Sequence, residues 1–428
     1  MSRSGARPAA APLSQASRHD QTKQGGDTRA RGLLLLSLSC AARRLAHRSP
    51  GFHRRSRTGG PAHEQAIAIS RVLPTRTQPR PSSCPNPILI VGTERSGSNL
   101  LRLILNAHSR IVVPHPPHLV HYFRPLEDLY GDLEQDDRYR RFLNDVNRVF
   151  QTHIHPWSHA VVPSAVEALA PSRDAIGTFI GVYELARIET GKARWGCKST
   201  FLIDHADAVL NALPGAQLIL LVRDPRDVAL SSKKSVFSPC HPQLTARLWR
   251  RQQDAGRDLL DRLPARMILL LRYEDFVATP EKCINRICDF LGESYEPGML
   301  RFFETDEAQT SGALSESWRN TRSPIIEQNV RKFERELSSK EILMVEAECR
   351  QTMSAFDYET TQAANTQSTK SLRRRTPLRL ALPEAYLRTR VELRSLVHDG
   401  NHWLRWRRAW TLASIRARLR MSRLLRGS

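Results

Sequence analysis

The chain has 428 residues, of which 40% are apolar, so it can bury a large core in one or two domains; its formal charge is +22. The excess charge lies at the two ends: residues 1–84 sum to +12 and residues 366–428 to +13, which leaves −3 for residues 85–365. A nucleic-acid-binding domain carries its basic excess on the folded body, so this distribution argues against a specific nucleic-acid partner. The basic ends remain able to contact an anionic membrane or RNA.

Residues 1–84 are rich in Arg, Ser, Ala, Gly and Pro and show no sustained periodicity, which predicts a disordered basic extension. The apolar run at 32–42 has about a dozen residues, whereas a helix needs about 20 to cross a bilayer. A signal peptide is the alternative interpretation of this run. A further alternative is that the segment precedes the true start of the protein.

The seven cysteines are irregularly spaced and form no Cys-x-x-Cys pair and no zinc-site spacing. This pattern predicts free thiols in a reducing compartment and no bound metal. We therefore expect a cytoplasmic protein, with peripheral membrane contact through its basic ends as an additional expectation.

The pattern from residue 85 to residue 365 alternates short buried strands with helices, which is typical of an α/β domain with a mostly parallel sheet. Ligands of such sheets bind beyond the carboxyl ends of the strands. The residues after 366 are again basic, with Leu and Trp interspersed, and predict an amphipathic helical tail or a disordered extension. The predicted strands are 88–91, 194–198, 217–222 and 267–273, and the predicted helices are 100–105, 133–150, 173–190, 201–212, 280–291, 324–336 and 338–356.

Residues 92–99, GTERSGSN, have the G-x-x-x-x-G frame of a phosphate loop between a buried strand and a helix. Backbone N–H groups of such a loop and the helix N-terminus bind an anion whatever the side chains are. The usual lysine is replaced by Ser98, and the cation of the loop is Arg95. A sulfuryl group carries less charge than a terminal phosphoryl group and needs less neutralisation by metal, so Arg95 can serve it alone. The alternative is an ordinary glycine turn that binds nothing.

A second anion site is predicted where strand 217–222 ends. Arg223 stands at that carboxyl end, and Ser231 follows eight residues later, about two turns into the next helix. Both side chains can face one phosphate group. The alternative is that Arg223 pairs with Asp227 and that Ser231 is a surface serine.

Four segments of this chain resemble the sulfotransferases that use 3′-phosphoadenosine-5′-phosphosulfate (PAPS), in particular their bacterial and tyrosylprotein branches. VGTERSGSNLLRLIL (91–105) resembles the 5′-phosphosulfate loop, and LVRDPRDVALSS (221–232) resembles the 3′-phosphate motif. RWGCKS (194–199) is similar to a lysine-containing element between these motifs, and LRYEDFVATPEKCINRICDFLG (271–292) to the strand and helix after them. The family's third, Gly-rich nucleotide motif is not visible, so the group that holds the adenine is not identified.

The resemblance implies a P-loop-like fold with PAPS as sulfuryl donor. Carried over by position, it implies that the 5′-phosphosulfate is held by the loop, and the 3′-phosphate by Arg223 and Ser231. Tyr273 is implied to lie near the nucleotide. The loop residues concerned are Arg95, Ser96, Gly97, Ser98 and Asn99.

Sulfuryl transfer to an alcohol also needs a base for the hydroxyl proton. His115 falls where the tyrosylprotein branch has its glutamate, and its ordinary pKa of about 6.5 leaves it largely neutral at pH 7. His118 and His108 are the competing candidates. Lys198 either steadies the sulfuryl group or forms a salt bridge.

Two other functions are also compatible with the sequence. The loop is compatible with a P-loop kinase of a nucleotide or small molecule, although the loop lysine is missing. The basic ends are compatible with a protein that binds a membrane or RNA surface. For the sulfotransferase, the acceptor is expected to be a small molecule or glycan, by analogy a carbohydrate or glycolipid hydroxyl. Its pocket is expected within residues 115–190, where Tyr122, Phe123, Trp157 and Tyr183 can stack on a ring or belong to the core.

Overall fold

The computed structural model describes residues 86–361 and 377–426. These described residues belong to one unit. The disorder expected for residues 1–84, and the signal-peptide alternative for residues 32–42, fall outside the described residues. Five cysteines in the described part are free and buried: Cys197, Cys240, Cys283, Cys288 and Cys349.

Five strands form one parallel sheet, which confirms the α/β class predicted from the sequence. The strand order is β2-β3-β1-β4-β5, with every neighbouring pair parallel. Two strands, 194–198 and 217–222, have the predicted bounds. The strands are β1 (Ile88–Gly92), β2 (Ile111–Val112), β3 (Arg194–Lys198), β4 (Gln217–Val222) and β5 (Ile268–Arg272).

The core lies on both faces of this sheet, because successive side chains of a strand point to opposite faces. In β1, Leu89 and Val91 join one cluster of buried side chains, whereas Ile88 and Ile90 join the other. Both faces are covered by helices, and this is why the strands read as continuous apolar runs in the sequence.

Helices make up most of the remaining described chain. Four 3₁₀ segments connect them: Arg124–Leu126, Leu202–His205, Pro297–Glu304 and Glu316–Arg322. Among the described residues, no helix is both long and apolar enough to cross a bilayer. The α-helices are α1 (Ser98–Asn106), α2 (Leu119–Phe123), α3 (Glu127–Tyr130), α4 (Asp136–Gln151), α5 (Pro163–Leu169), α6 (Ala175–Glu189), α7 (Ala206–Ala212), α8 (Pro225–Ser232), α9 (Pro242–Arg262), α10 (Tyr273–Ala278), α11 (Pro280–Leu291), α12 (Asp306–Leu314), α13 (Phe333–Glu336), α14 (Ser339–Ala355), α15 (Pro377–His398) and α16 (His402–Arg426).

The strand order places a topological switch point beside β1. The chain continues from β1 to β2 and β3 on one side, and then crosses to β4 and β5 on the other. In open parallel sheets the ligand binds outside the carboxyl ends of the strands at such a point. Segment 92–97, Lys198, Arg223 and Tyr273 lie at or directly after the carboxyl ends of β1, β3, β4 and β5.

The helix predicted over 324–336 is wrong for most of its length, because only Phe333–Glu336 is helical. The carboxylate of Asp227 accepts hydrogen bonds from the backbone N–H groups of Arg331 and Phe333, at 2.7 and 3.0 Å. Arg331 itself has φ 53°. A distant carboxylate therefore holds this segment in an irregular path that local sequence cannot specify.

The disorder expected for the C-terminal extension is also wrong where the structure describes it, since residues 377–398 and 402–426 are helical. Leu412, Ile415 and Leu419 are buried and join the core cluster on one face of the sheet. Arg418 forms an ion pair with Asp145 of α4. The apolar spacing in this basic segment thus serves to attach it to the domain.

Candidate active site

The phosphate loop connects β1 to α1 through backbone conformations of positive φ. Arg95 has φ 69° and Gly97 has φ 91°, and Gly97 is the N-cap of α1. A Cβ at Gly97 would lie 2.5 Å from the ring of Tyr273. Glycine is therefore required here both by the left-handed backbone and by the aromatic wall beside it. Non-glycine residues of positive φ such as Arg95 are concentrated at functional sites.

Arg95 joins the two predicted phosphate motifs. Its Nε donates a hydrogen bond to Ser231 Oγ at 3.0 Å, and its Nη2 donates to the carbonyl oxygen of Ser317 at 3.2 Å. Burial lowers the pKa of Arg95 to about 10, and the nearby positive charge of Arg223 acts in the same direction. Two guanidinium groups held this close favour a bound anion between them.

Arg223 lies at the end of β4 and binds the backbone of the phosphate loop. Its Nη1 donates to the carbonyl oxygen of Arg95 at 3.0 Å, and its Nη2 donates to that of Asn329 at 2.7 Å. The guanidinium also lies over the ring of Tyr273, 4.3 Å from the centroid. The alternative pairing with Asp227 exists only as a long contact of 3.9 Å.

The ring of Tyr273 lies between the two phosphate motifs and contacts both. Its side chain is buried, and its hydroxyl oxygen accepts a hydrogen bond from Asn329 Nδ2 at 2.8 Å. The ring thus contacts Arg223 on one side and the glycine of the loop on the other. The structure brings together Arg95, Gly97, Arg223, Ser231 and Tyr273, which the sequence predicted from three separate segments.

Several donors around the loop fit an anionic nucleotide. Ser96 Oγ, Asn99 Nδ2 and Arg223 Nε are buried and have no hydrogen-bond partner among the described residues. Ser98 and Asn99 lie in the first turn of α1, where the backbone N–H groups have no intrahelical acceptor. Buried donors are normally satisfied, so this group of donors is suited to phosphate or sulfate oxygens.

Lys198 ends β3 next to the phosphate loop. Burial lowers its pKa to about 8, whereas the negative charge of Glu94 acts in the opposite direction. Glu94 is itself held by Ser238, whose Oγ donates to its carboxylate at 3.0 Å. A half-buried lysine that interacts electrostatically with Arg95 and Arg102 is a candidate for stabilising charge that develops in a reaction.

His115 is buried in a cluster of aromatic rings. Its ring is stacked on His155 at 5.1 Å and tilted against Trp318 at 4.9 Å. Its Nδ1 is buried without a hydrogen-bond partner in the described part of the chain. Burial, together with the neighbouring His153, holds the pKa of His115 well below its ordinary value, so the imidazole is neutral at pH 7.

The ring of His118, unlike the Nδ1 of His115, has a hydrogen-bond partner that orients it. Its backbone is left-handed with φ 55°, and its Nδ1 is 2.8 Å from Ser199 Oγ, one residue after β3. Burial and the charge of Lys198 hold its pKa well below the ordinary value. The charge of Lys198 also contributes to the lowered pKa of His115, after burial and the neighbouring histidines.

His108 has structural partners at both ring nitrogens. Its Nε2 lies 2.9 Å from the carbonyl oxygen of Ser294, and its Nδ1 accepts a hydrogen bond from the backbone N–H of Arg110 at 3.0 Å. A histidine engaged at both nitrogens is poorly placed to accept a proton from a substrate.

Sequence reasoning missed a buried network around Arg102. This fully buried arginine donates to Asn99 Oδ1 at 2.8 Å and forms an ion pair with Glu307 at 2.7 Å. Ser311 connects it further to His155 Nε2, at 2.8 Å. The available signal was a single arginine among the apolar residues of LLRLIL, which indicates a buried cation with a specific partner.

Both phosphate motifs lie inside a segment that matches a known protein family. Residues 87–297 match the model of the sulfotransferase family. A comparison with curated protein sequences found no significant match.

Several solved structures are similar to this chain, at low identity. The sulfotransferase domain of the Synechococcus PCC 7002 olefin synthase is 20% identical, with 67% of this chain and 100% of that chain covered and a TM-score of 0.47. Sulfotransferase STF9 from Mycobacterium avium is 14% identical, with coverages of 70% and 82% and a TM-score of 0.36. Mouse sulfotransferase SULT7A1, complexed with PAP, is 12% identical, with coverages of 67% and 87% and a TM-score of 0.36. Because the family match spans β1 to the helix that follows β5, including both phosphate motifs, this part of the chain, residues 87–297, belongs to the sulfotransferase family.

Proposed function

We propose that this protein transfers the sulfuryl group of PAPS to the hydroxyl of an acceptor. The observation that carries the proposal is the direct contact between the two phosphate motifs, through Arg95 Nε and Ser231 Oγ and through Arg223 Nη1 and the backbone of Arg95. Two anion sites this close suit the two phosphorylated ends of one adenosine nucleotide. A nucleoside triphosphate has no 3′-phosphate to place at the second site.

In this proposal the loop binds the 5′-phosphosulfate through its backbone N–H groups, Ser96, Ser98 and Asn99. Arg223 and Ser231 bind the 3′-phosphate, and the ring of Tyr273 packs near the nucleotide. PAPS supplies a sulfuryl group whose departure leaves negative charge on the 5′-phosphate. Arg95 and Lys198, two half-buried cations beside the loop, stabilise that charge.

We propose His115 as the base that takes the proton of the acceptor hydroxyl. Its lowered pKa keeps the imidazole neutral and able to accept a proton at pH 7. The partnerless Nδ1 and the tilted contact with Trp318 are consistent with a side chain at the wall of the acceptor site. His118, oriented by Ser199, is the second candidate.

For the acceptor we propose a carbohydrate or glycolipid hydroxyl. Trp318 stacks on Phe237, with ring centroids 5.1 Å apart and planes 7° from parallel, directly beside His115. Such an aromatic pair suits the apolar face of a sugar ring. Of the aromatic residues expected to stack on the acceptor, Phe123 and Tyr183 are buried in the core, whereas Tyr122 and Trp157 are half-buried.

The binding step is tested by calorimetry on the full chain with adenosine 3′,5′-bisphosphate and with ADP, which has no 3′-phosphate. The full chain is needed because α16 contributes core residues. We expect the bisphosphate to bind at submillimolar concentration or tighter, ADP to bind at least about tenfold more weakly, and Arg223→Ala to remove the difference. Arg95→Ala should weaken both ligands, while the exposed Arg110→Ala is the matched control. Equal binding of the two nucleotides by the wild type would contradict the role of the second site.

The reaction step is tested by following transfer of ³⁵S from PAPS to a panel of glycans and glycolipids, with and without EDTA. We expect transfer that does not depend on magnesium. A kinase with an atypical loop would instead transfer phosphate from ATP and lose activity in EDTA. That result would favour phosphoryl transfer over the proposed reaction.

A further inference from the structure

Helix α16 has a second apolar face that the domain does not cover. Trp403, Trp406, Trp410, Met421 and Leu424 follow one another at helical spacings and are 71, 51, 72, 58 and 71% exposed. We call these five residues the Trp face. Large apolar side chains at this exposure, grouped on one element, mark an interaction surface.

The Trp face is not an undocked core face. The opposite side of α16 already contributes Leu412, Ile415 and Leu419 to the core. On that inner side, Arg408 is buried and donates to the carbonyl oxygens of Val149 and Pro117, at 3.2 and 2.6 Å. The helix is thus fixed by one face and presents the other outward.

The charge around the Trp face is positive. Arg407, Arg416, Arg420 and Arg423 on α16 are exposed, and none forms an ion pair with a described carboxylate at 4 Å or less. Residues 377–426 together carry a net charge of +9. Arg407 and Arg420 therefore flank the Trp face, and Arg416 and Arg423 add exposed positive charge along the sides of α16.

The three acidic residues of segment 377–426 are engaged by other partners. The Glu384 carboxylate accepts hydrogen bonds from the backbone N–H groups of Cys240 and His241. Asp399 accepts from the backbone N–H of Glu316 at 2.8 Å, and Glu392 pairs with Arg405. The acidic groups therefore do not neutralise the arginines beside the Trp face.

We propose that the Trp face lies in the headgroup region of an anionic lipid bilayer, with α16 parallel to the surface. Tryptophan favours the boundary between headgroups and acyl chains, and arginine binds lipid phosphates while its stem contacts apolar groups. The number of arginines prevents α16 from spanning the bilayer, in agreement with the absence of a spanning helix among the described residues. This surface is independent of the proposed sulfuryl transfer.

The test uses the full chain and vesicles of phosphatidylcholine, with and without phosphatidylglycerol, followed by sedimentation and tryptophan fluorescence. We expect the wild type to sediment with the anionic vesicles, with a blue shift of its emission, and to be released by salt. The triple variant Trp403→Ser, Trp406→Ser, Trp410→Ser should lower the partition coefficient at least about tenfold. Ile188→Ser and Ile326→Ser, two exposed apolar residues outside these helices, are the matched controls and should bind as the wild type does.

A second variant, with Arg407, Arg416, Arg420 and Arg423 changed to Gln, separates charge from apolar contact. It should lose the preference for phosphatidylglycerol and keep its unfolding midpoint, because these side chains are exposed. Both variants should also bind adenosine 3′,5′-bisphosphate as the wild type does, which keeps this test distinct from that of the proposed function.

Three results would overturn the proposal. The first is a wild type that stays in the supernatant with both kinds of vesicle. The second is unchanged vesicle binding by both variants, which would assign the binding to residues 1–84. The third is a change confined to self-association or to RNA binding, seen by analytical ultracentrifugation or RNA titration, which would assign the Trp face to a second copy or to RNA.

Discussion

The lysine at the end of β3 gives a quantitative prediction for nucleotide binding. Burial lowers the pKa of Lys198 from the ordinary 10.5 to about 8, which corresponds to a cost of about 3 kcal/mol for the charged form in the free protein. Because the folded pKa is the lower one, the native state binds fewer protons than the unfolded state between about pH 8 and pH 10.5. This cost is present in full below about pH 8 and is relieved as the pH rises from about 8 to about 10.5.

An anion bound beside Lys198 should reverse this effect. Near pH 8.5, about a quarter of the free molecules carry a protonated Lys198, and a bound anion that restores an ordinary pKa protonates nearly all of them. Binding should therefore take up about 0.7 proton per site near pH 8.5. Arg95, with a pKa of about 10, is already almost fully protonated there and contributes little.

The uptake is measured by calorimetry of adenosine 3′,5′-bisphosphate binding in two buffers that differ in ionisation enthalpy. The apparent enthalpy should differ between the buffers for the wild type, and affinity should fall as the pH rises from about 8 to about 10. In Lys198→Met the buffer dependence should disappear. Equal proton uptake by the wild type and by this variant would show that Lys198 does not face the bound anion.

Three other changes test separate parts of the structure. Gly97→Ala places a methyl carbon 2.5 Å from a buried aromatic ring and should cost about 2–4 kcal/mol of unfolding free energy in urea; Gly292→Ala, with φ 71° and no atom within 4 Å, should cost only about 1 kcal/mol. Similar losses of unfolding free energy in the two variants would show that the close approach of the Tyr273 ring does not contribute to the cost at Gly97. His115→Ala should keep nucleotide affinity while kcat falls at least about a hundredfold. The acid limb of the wild-type pH profile should lie below pH 6.5, because burial lowers the pKa of the His115 imidazole. A loss of kcat seen only in His118→Ala would identify His118 as the base. Arg408→Ala leaves two buried carbonyl oxygens without their donor and should lower the unfolding free energy by about 2–3 kcal/mol, whereas an exposed arginine of the same helix should change it by less than about 0.5 kcal/mol.

The sequence by itself determined the elements whose signals are local. The helix at 280–291 was predicted with its correct bounds, since Pro280 begins it and Gly292, in the left-handed conformation, ends it. The start of α14 followed from the capping box between Ser338 and Glu341. The phosphate loop was recognisable because the glycine frame, the preceding strand and the following helix are adjacent in the chain.

The tertiary structure decided whatever depends on partners far along the chain. The bond between Arg95 and Ser231 joins residues 136 positions apart, so its existence follows from the order of the strands and not from either motif. The segment after residue 323 remains mostly non-helical because Asp227 and Arg223 bind its backbone, a use of N–H and C=O groups that no local propensity reveals.

The C-terminal segment shows most clearly which features depend on local sequence and which depend on tertiary packing. Its composition predicted basic and amphipathic character, and that character depends only on which residues are present. Which apolar face packs inward depends on the surface it meets: Leu412, Ile415 and Leu419 contact the core, whereas Trp403 and Trp410 point away from it. In a helix with two apolar faces, the sequence is compatible with burial of either face. The surface of the domain on which the helix packs decides which face is buried.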